Sequence, residues 1–131
     1  LLLTVLLGVL LSSCIPIQAT PAPSALTHEG VTTMTIVPLT GSLDEKLLLT
    51  GHGFVPGTAL SVRMGAPHTG LNSTDLATID ASSSGTFQIE VMLPAFWPGS
   101  TAPVVEESIV LAIIDPVLNQ TLATVTYQLL P

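Results

Sequence analysis

Positive charge is almost missing from this chain: Lys46 and Arg63 are its only basic residues, set against nine acidic ones, for a formal net charge of −7. Nucleic-acid binding depends on neutralising phosphates with Lys and Arg, so that class of partner is excluded. Cysteine occurs once, as Cys14. No intramolecular disulfide can form, and any folded part must be held by its core alone. Charged residues make up only 8 % of the chain, but 47 % is hydrophobic. That apolar content is enough to offset the entropy of ordering, which argues against a disordered polar chain. A membrane-spanning run is lacking too. The longest uncharged apolar stretch at the start, residues 1–11 (LLLTVLLGVLL), would measure about 16 Å as a helix against a hydrocarbon core of roughly 30 Å. It reads instead as the apolar segment of a secretion signal. Neither Met nor a basic residue precedes it, so the chain is expected to begin inside that signal.

Directly behind this run stands Leu11-Ser12-Ser13-Cys14. An apolar residue, two small residues and a cysteine in this position resemble the lipobox of bacterial lipoproteins. Small side chains let a peptidase reach the backbone, and the Cys14 thiol takes the lipid. Each buried acyl methylene adds about 0.8 kcal/mol, so two or three chains give firm anchoring. The resemblance implies a lipoprotein signal segment over residues 1–14 and a protein held at the extracytoplasmic face of a cell membrane through lipidated Cys14. The alternative is a cysteine that happens to follow a signal, with conventional cleavage nearby, for instance after Ala19. Residues 15–30 (IPIQATPAPSALTHEG) are rich in Pro, Ala, Ser and Thr, a composition that favours extended, solvated chain. They read as a flexible tether.

From Val31 onward the character changes to short β-prone runs separated by turn residues. Seven strands are predicted, over residues 32–37, 46–50, 59–64, 75–79, 86–93, 108–114 and 121–129. In the third, Leu60, Val62 and Met64 alternate with Ser61 and Arg63, the period of two that a half-buried strand requires. In the fifth, Phe87, Ile89, Val91 and Leu93 share one face, with Gln88, Glu90 and Met92 on the other. The sixth is continuously apolar, as a central strand covered on both sides would be. The last alternates Ala123, Val125, Tyr127 and Leu129 against Thr124, Thr126 and Gln128. Residues 31–131 are therefore expected to form one all-β domain, a sandwich or barrel.

Two motifs narrow this. Residues 48–62, LLTGHGFVPGTALSV, are similar to the G-x-G-F-x-P-G-T signature of immunoglobulin-like domains on bacterial surface and secreted proteins, including the IPT/TIG-like group. Residues 80–87, DASSSGTF, resemble the turn entering the next long strand of such domains. The implied fold is an immunoglobulin-like β-sandwich of about seven antiparallel strands. The chemistry agrees: Pro56 presets φ and Gly57 accepts a positive φ, making Val55-Pro56-Gly57-Thr58 a type II turn. Phe54 is then placed to plug the end of the core, and Trp97-Pro98-Gly99-Ser100 repeats the turn chemistry later. The neocarzinostatin-like antitumour apoproteins share this layout. That resemblance implies a chromophore site between the sheets, although those proteins carry two disulfides that this chain cannot form.

The leading functional expectation is a structural or adhesive module that contacts an envelope protein or polysaccharide through sheet edges or loops. The second is a small-ligand carrier using the open end of the sandwich, for which an apolar cavity lined by residues 87–93 would be the mark. Phe96 and Trp97 form the only adjacent aromatic pair and are the candidate ligand-binding residues, Trp97 foremost. The competing reading is that they cap the core beside Pro94 and Pro98. His28, His52 and His68 lack metal-ligand spacing and read as exposed tether, turn and loop residues. Asp75, Asp80, Glu106, Glu107 and Asp115 would have to gather at one end of the sandwich to hold calcium; solvated surface charge is the simpler expectation. No nucleophile elbow, triad or paired-carboxylate motif is present, so neither catalysis nor a cofactor is expected.

Overall fold

A computed structural model describes residues 31–131. Nine strands lie there: β1 (Thr33–Val37), β2 (Thr40–Gly41), β3 (Lys46–His52), β4 (Ala59–Ala66), β5 (Gly70–Leu71), β6 (Ala77–Asp80), β7 (Phe87–Met92), β8 (Ser108–Asp115) and β9 (Gln120–Leu129). They form a β-sandwich. One sheet has the order β1-β3-β7; the other has the order β2-β9-β8-β4-β5, with β6 also paired to β4. The seven expected strands are all present. Two additional strands, β2 and β5, have two residues each, too short to leave a periodic signal. Strand β2 runs parallel to β9, the one departure from antiparallel pairing among the described residues. Strand β3 also runs through Gly51 and His52, where a stop was expected, because both continue the ladder with Met34 and Thr33 of β1.

Alternation along the strands assigns the core. Leu47 and Leu49 of β3 with Phe87 and Val91 of β7 face Leu60, Val62 and Met64 of β4, and Ile109, Leu111 and Ile113 of β8; all are buried in one cluster. Strand β8 is buried on its outer face as well, at Ala112 and Ile114, and the cross-strand register gives the reason. Arg63 lies opposite Ala112 and Ser61 opposite Ile114. Arg63 Nε donates to Asp75 at 2.8 Å while its Nη1 reaches Asn119 Oδ1 at 3.2 Å. Ser61 also donates to Asp75, at 3.2 Å. A polar strap thus crosses the outside of the central strand, which explains an apolar run that alternates on neither face.

The two sequence motifs meet at one end of the sandwich, the Phe54 end. Thr58 N–H donates to the Val55 carbonyl at 3.2 Å and Gly57 has φ +74°, the geometry of a type II turn. That turn is bonded to the second motif: Phe54 N–H to the Gly85 carbonyl, Gly57 N–H to that of Ala81, and Ala81 N–H to that of Thr58, at 3.0, 3.0 and 2.9 Å. Phe54 is 1 % exposed and stands tilted against Phe87, ring centroids 5.2 Å apart, a favoured aromatic geometry. A side chain at Gly51 would strike both rings. The chain enters the domain here: Val31 lies against Gly53, and the Thr32 hydroxyl donates to the Leu122 carbonyl at 2.6 Å, tying β1 to β9 across the two sheets.

Candidate functional site

The opposite end, the Trp97 end, is built from three connections that do not close over it. The first is the β4–β5 hairpin, turned by Pro67, His68 and Thr69, with Ala66 paired to Gly70 and Gly65 to Leu71. Gly65 is required here, since a Cβ would overlap the Gly70 carbonyl and the Leu71 backbone. The second is the link from β5 to β6, which stays bonded to the edge of β4 through Asn72 N–H to the Met64 carbonyl and Leu76 N–H to the Val62 carbonyl, 2.8 and 2.7 Å. Asn72 Oδ1 accepts the Thr74 N–H at 2.9 Å, folding this link into a tight local turn.

The third connection, between β7 and β8, is a small hairpin of its own. Val104 N–H donates to Ala95 and Trp97 N–H to Ala102, with Ser100 N–H closing the tip on Trp97, at 2.9, 3.0 and 2.9 Å. Gly99 at the tip has φ +74°, as the repeated Pro-Gly chemistry requires. Buried Val104 fixes the hairpin to the core. Its tip leans on the second connection, because a Cβ at Gly99 would come within 2.6 Å of the Thr74 hydroxyl.

Between the three lies a cleft of about 350 Å³. Backbone and small side chains of Gly65, Ala66 and Gly70 line one side, Trp97 and Ser100 another, and Asn72 and Glu106 complete the polar part. Trp97 is half-buried, packed on one side against the core. Among the described residues its indole N–H and the Asn72 side-chain NH₂ make no hydrogen bond, and Glu106 uses one carboxylate oxygen to accept the Val105 N–H at 3.1 Å. The cleft therefore offers a flat aromatic wall, two uncommitted donors, a carboxylate and hydroxyls. Such a set can stack a planar group and fix its polar edges.

The structure separates the two aromatic candidates. Trp97 caps the core and lines the cleft at once, so the two readings of it are compatible. Phe96, on the outside of the same hairpin, is 54 % exposed. The cavity expected along residues 87–93 does not form as a whole: Val91 and Leu93 are packed into the core, while Phe87 and Gln88 border an open cleft of about 400 Å³ shared with Thr50, His52, Ile79 and Asp80. Buried side chains from both sheets fill the space between them. A further cleft, of about 360 Å³, opens at the Phe54 end and is lined by Phe54, Val55, Leu60, Leu118 and Leu122.

The five acidic candidates do not gather. Asp75 is held by Arg63 on the flank of a sheet, Asp80 and Asp115 lie toward the Phe54 end, and Glu106 and Glu107 lie at the other. Among the described residues no three His, Cys, Asp or Glu side chains come together to hold a metal ion. His52 ends β3 and His68 sits in the β4–β5 turn, both exposed. Cys14 and His28 lie outside the described residues. Sequence reasoning missed the glycine side of the cleft and Asn72. The available signal was Ala66-Pro67-His68-Thr69-Gly70, a Pro- and Gly-containing link between apolar runs. No described helix is long and apolar enough to cross a membrane.

No family model and no curated protein sequence matches the chain. Among solved structures the fold is similar to that of macromomycin, with a TM-score of 0.58 and 17 % identity, over 76 % of this chain and 99 % of macromomycin.

Proposed function

We propose that this chain is a carrier of a small, flat organic ligand, bound in the cleft beside Trp97 and held at a membrane by lipidated Cys14. The observation that carries the reading is the cleft itself: an aromatic wall with uncommitted donors and one carboxylate, placed where three loops of a rigid sandwich meet. Its volume, about 350 Å³, falls at the lower end of the range of small-molecule sites. The likeness of fold to macromomycin supports it, and so does the layout of turns by which the sequence resembles the neocarzinostatin-like apoproteins. The ligand would stack a ring on Trp97, accept from the indole and Asn72, and present a donor or cation to Glu106.

Trp97 is the only tryptophan, so its emission reports on the cleft alone. Titration with a broad panel of planar aromatic amines and phenols is expected to give saturable quenching with at least one class, accompanied by a rise in melting temperature. Trp97→Ala abolishes that rise. A panel that produces neither signal removes the carrier reading. The anchor is checked separately, because Cys14→Ser is expected to move the protein from the membrane to the soluble fraction. Contact with an envelope protein or polysaccharide is the second reading. One observation favours it: the exposed ring of Phe96, turned out of the cleft. Under that reading Phe96→Ala weakens partner capture while aromatic titrations of Trp97 stay silent.

A further inference from the structure

We infer that the Phe54 end is a lipid-docking tip, resting on the surface of the bilayer that holds the anchor. Four large apolar side chains, Val31, Val55, Val117 and Leu118, stand exposed on adjoining segments there, while Val37, Leu39, Met92, Phe96, Val105 and Leu130 are exposed on separate strands and loops toward the opposite end. Val117 and Leu118, at the tip of the β8–β9 turn, are 86 % and 68 % exposed, and Val55 on the neighbouring turn is 58 % exposed. Val55 and Leu118 flank the same apolar cleft, with Phe54, Leu60 and Leu122 at its base. Turn tips are ordinarily polar, because loops run through solvent. Here the polar atoms of the turn are used internally instead. The Asp115 carboxylate accepts the N–H groups of Val117 and Leu118, at 2.9 and 3.1 Å. Asn119 is bonded to Arg63 at 3.2 Å. The result is a rigid turn that presents two apolar side chains outward.

A bilayer is the occupant indicated by where the chain enters. Val31, the first described residue, lies against Gly53 at this same end, and only residues 15–30 separate it from Cys14. Fully extended, that segment reaches at most about 60 Å. The tip is thus the part of the domain that the tether keeps nearest the lipid, at high effective concentration. Charge selects the same orientation. Four carboxylates, Asp44, Glu45, Glu106 and Glu107, lie at the Trp97 end beside Lys46, against two, Asp80 and Asp115, toward the tip, so the Trp97 end is the more strongly repelled by the phosphates of an anionic leaflet. Shallow insertion of Val55, Val117 and Leu118 at the headgroup boundary needs no basic residue. It also turns the Trp97 cleft away from the membrane. This inference rests on the anchored reading of Cys14 and adds to it an orientation.

The test uses full-length lipidated protein on phosphatidylcholine vesicles. Vesicle flotation reads the anchor. A polarity-sensitive dye attached at Val117→Cys reads the docking, Cys14 being blocked by its thioether, and the same dye at Glu106→Cys serves as the distal control. The expected result is flotation, with the dye at position 117 blue-shifted and quenched by nitroxide-labelled lipid several-fold more than at position 106. Adding Val55→Ser and Leu118→Ser, both exposed positions that leave the core intact, removes that difference. Flotation with equal quenching at the two positions overturns the docking and leaves the anchor standing. Failure to float overturns both. A dye already shielded before lipid is added places a second copy of the chain on the tip and also overturns the proposal.

Discussion

At the Phe54 end the Pro56-Gly57 turn sits over a ring that is 1 % exposed; at the Trp97 end the Pro98-Gly99 turn leaves an indole half-buried at the rim of a cleft. The two turns share their chemistry, and both glycines have φ +74°. Their bonding separates them. The first is tied by three backbone hydrogen bonds to the 81–85 segment, which pulls Phe54 down onto Phe87 and seals the core. The second bonds within its own hairpin and merely leans on Thr74. The same turn closes a sandwich when a second loop is laced to it and frames a site when it stands alone.

That comparison is broken most forcefully by truncating the two aromatic residues. Phe54→Ala deletes a fully buried ring together with its contact to Phe87, and is expected to cost about 3–5 kcal/mol. Trp97→Ala is expected to cost about 1 kcal/mol, since its exposed face already meets water. Urea unfolding followed by circular dichroism measures both. Equal losses would mean that Trp97 closes its end as Phe54 does, and the cleft would then be a gap in packing instead of a site.

The asymmetry was partly legible in the sequence. Period-two alternation locates β4, β7 and β9, and both motifs read as turns in the sequence. Their mutual bonding was not readable, because it depends on a pairing between residues about thirty apart that no local pattern encodes. The unbroken apolar run of β8 identifies a central strand but not what covers its outer face: Arg63 reads in sequence only as an outward residue, and its span from Asp75 to Asn119 requires the register of three strands. Trp97 was visible as a loop aromatic. Its glycine-lined partner wall was hidden, since Gly65 and Gly70 act through backbone and β5 is too short to carry a period.

A second difference between the ends lies in how each manages its polar side chains. At the Phe54 end the Thr32 hydroxyl and the Asp115 carboxylate bond to backbone groups, whereas near the Trp97 end the fully buried Tyr127 donates its hydroxyl to another side chain, Glu45, at 3.3 Å, beside Gly41, whose missing side chain leaves room for both. Burial first, then the hydrogen bond and the negative charge of Glu45, raise the Tyr127 pKa above the ordinary phenol value. The folded state therefore holds this proton more tightly than the unfolded chain. The stabilisation is complete below the unfolded pKa and is lost as pH rises through the folded one, a window beginning at about pH 10. Tyr127→Phe is expected to cost roughly 1 kcal/mol at neutral pH and to flatten the alkaline decline, as read by denaturation midpoints from pH 8 to 11, a range chosen to straddle the usual tyrosine pKa of about 10. An unchanged decline in the variant would assign the alkaline loss to another group.

The finest comparison sets Gly57 against Gly99. Alanine at either position must adopt a positive φ, which costs about 1 kcal/mol. At Gly57 nothing lies within 4 Å of the added Cβ, so that conformational cost is the whole effect. At Gly99 the Cβ meets the Thr74 hydroxyl at 2.6 Å. This hydroxyl ends a short rotatable side chain that can turn aside, so Gly99→Ala is expected to exceed Gly57→Ala by only a few tenths of a kcal/mol. Removing the hydroxyl with Thr74→Ala in the Gly99→Ala background should erase the excess, a coupling that a double-mutant cycle isolates. Trp97 emission supplies the second readout. Gly99→Ala is expected to shift it, because the tip of the hairpin moves off Thr74 and the rim of the cleft moves with it; Gly57→Ala, at the sealed end, leaves it unchanged. A shift of equal size from both variants would show the two ends to be mechanically coupled through the core, and the cleft would no longer be a locally framed site.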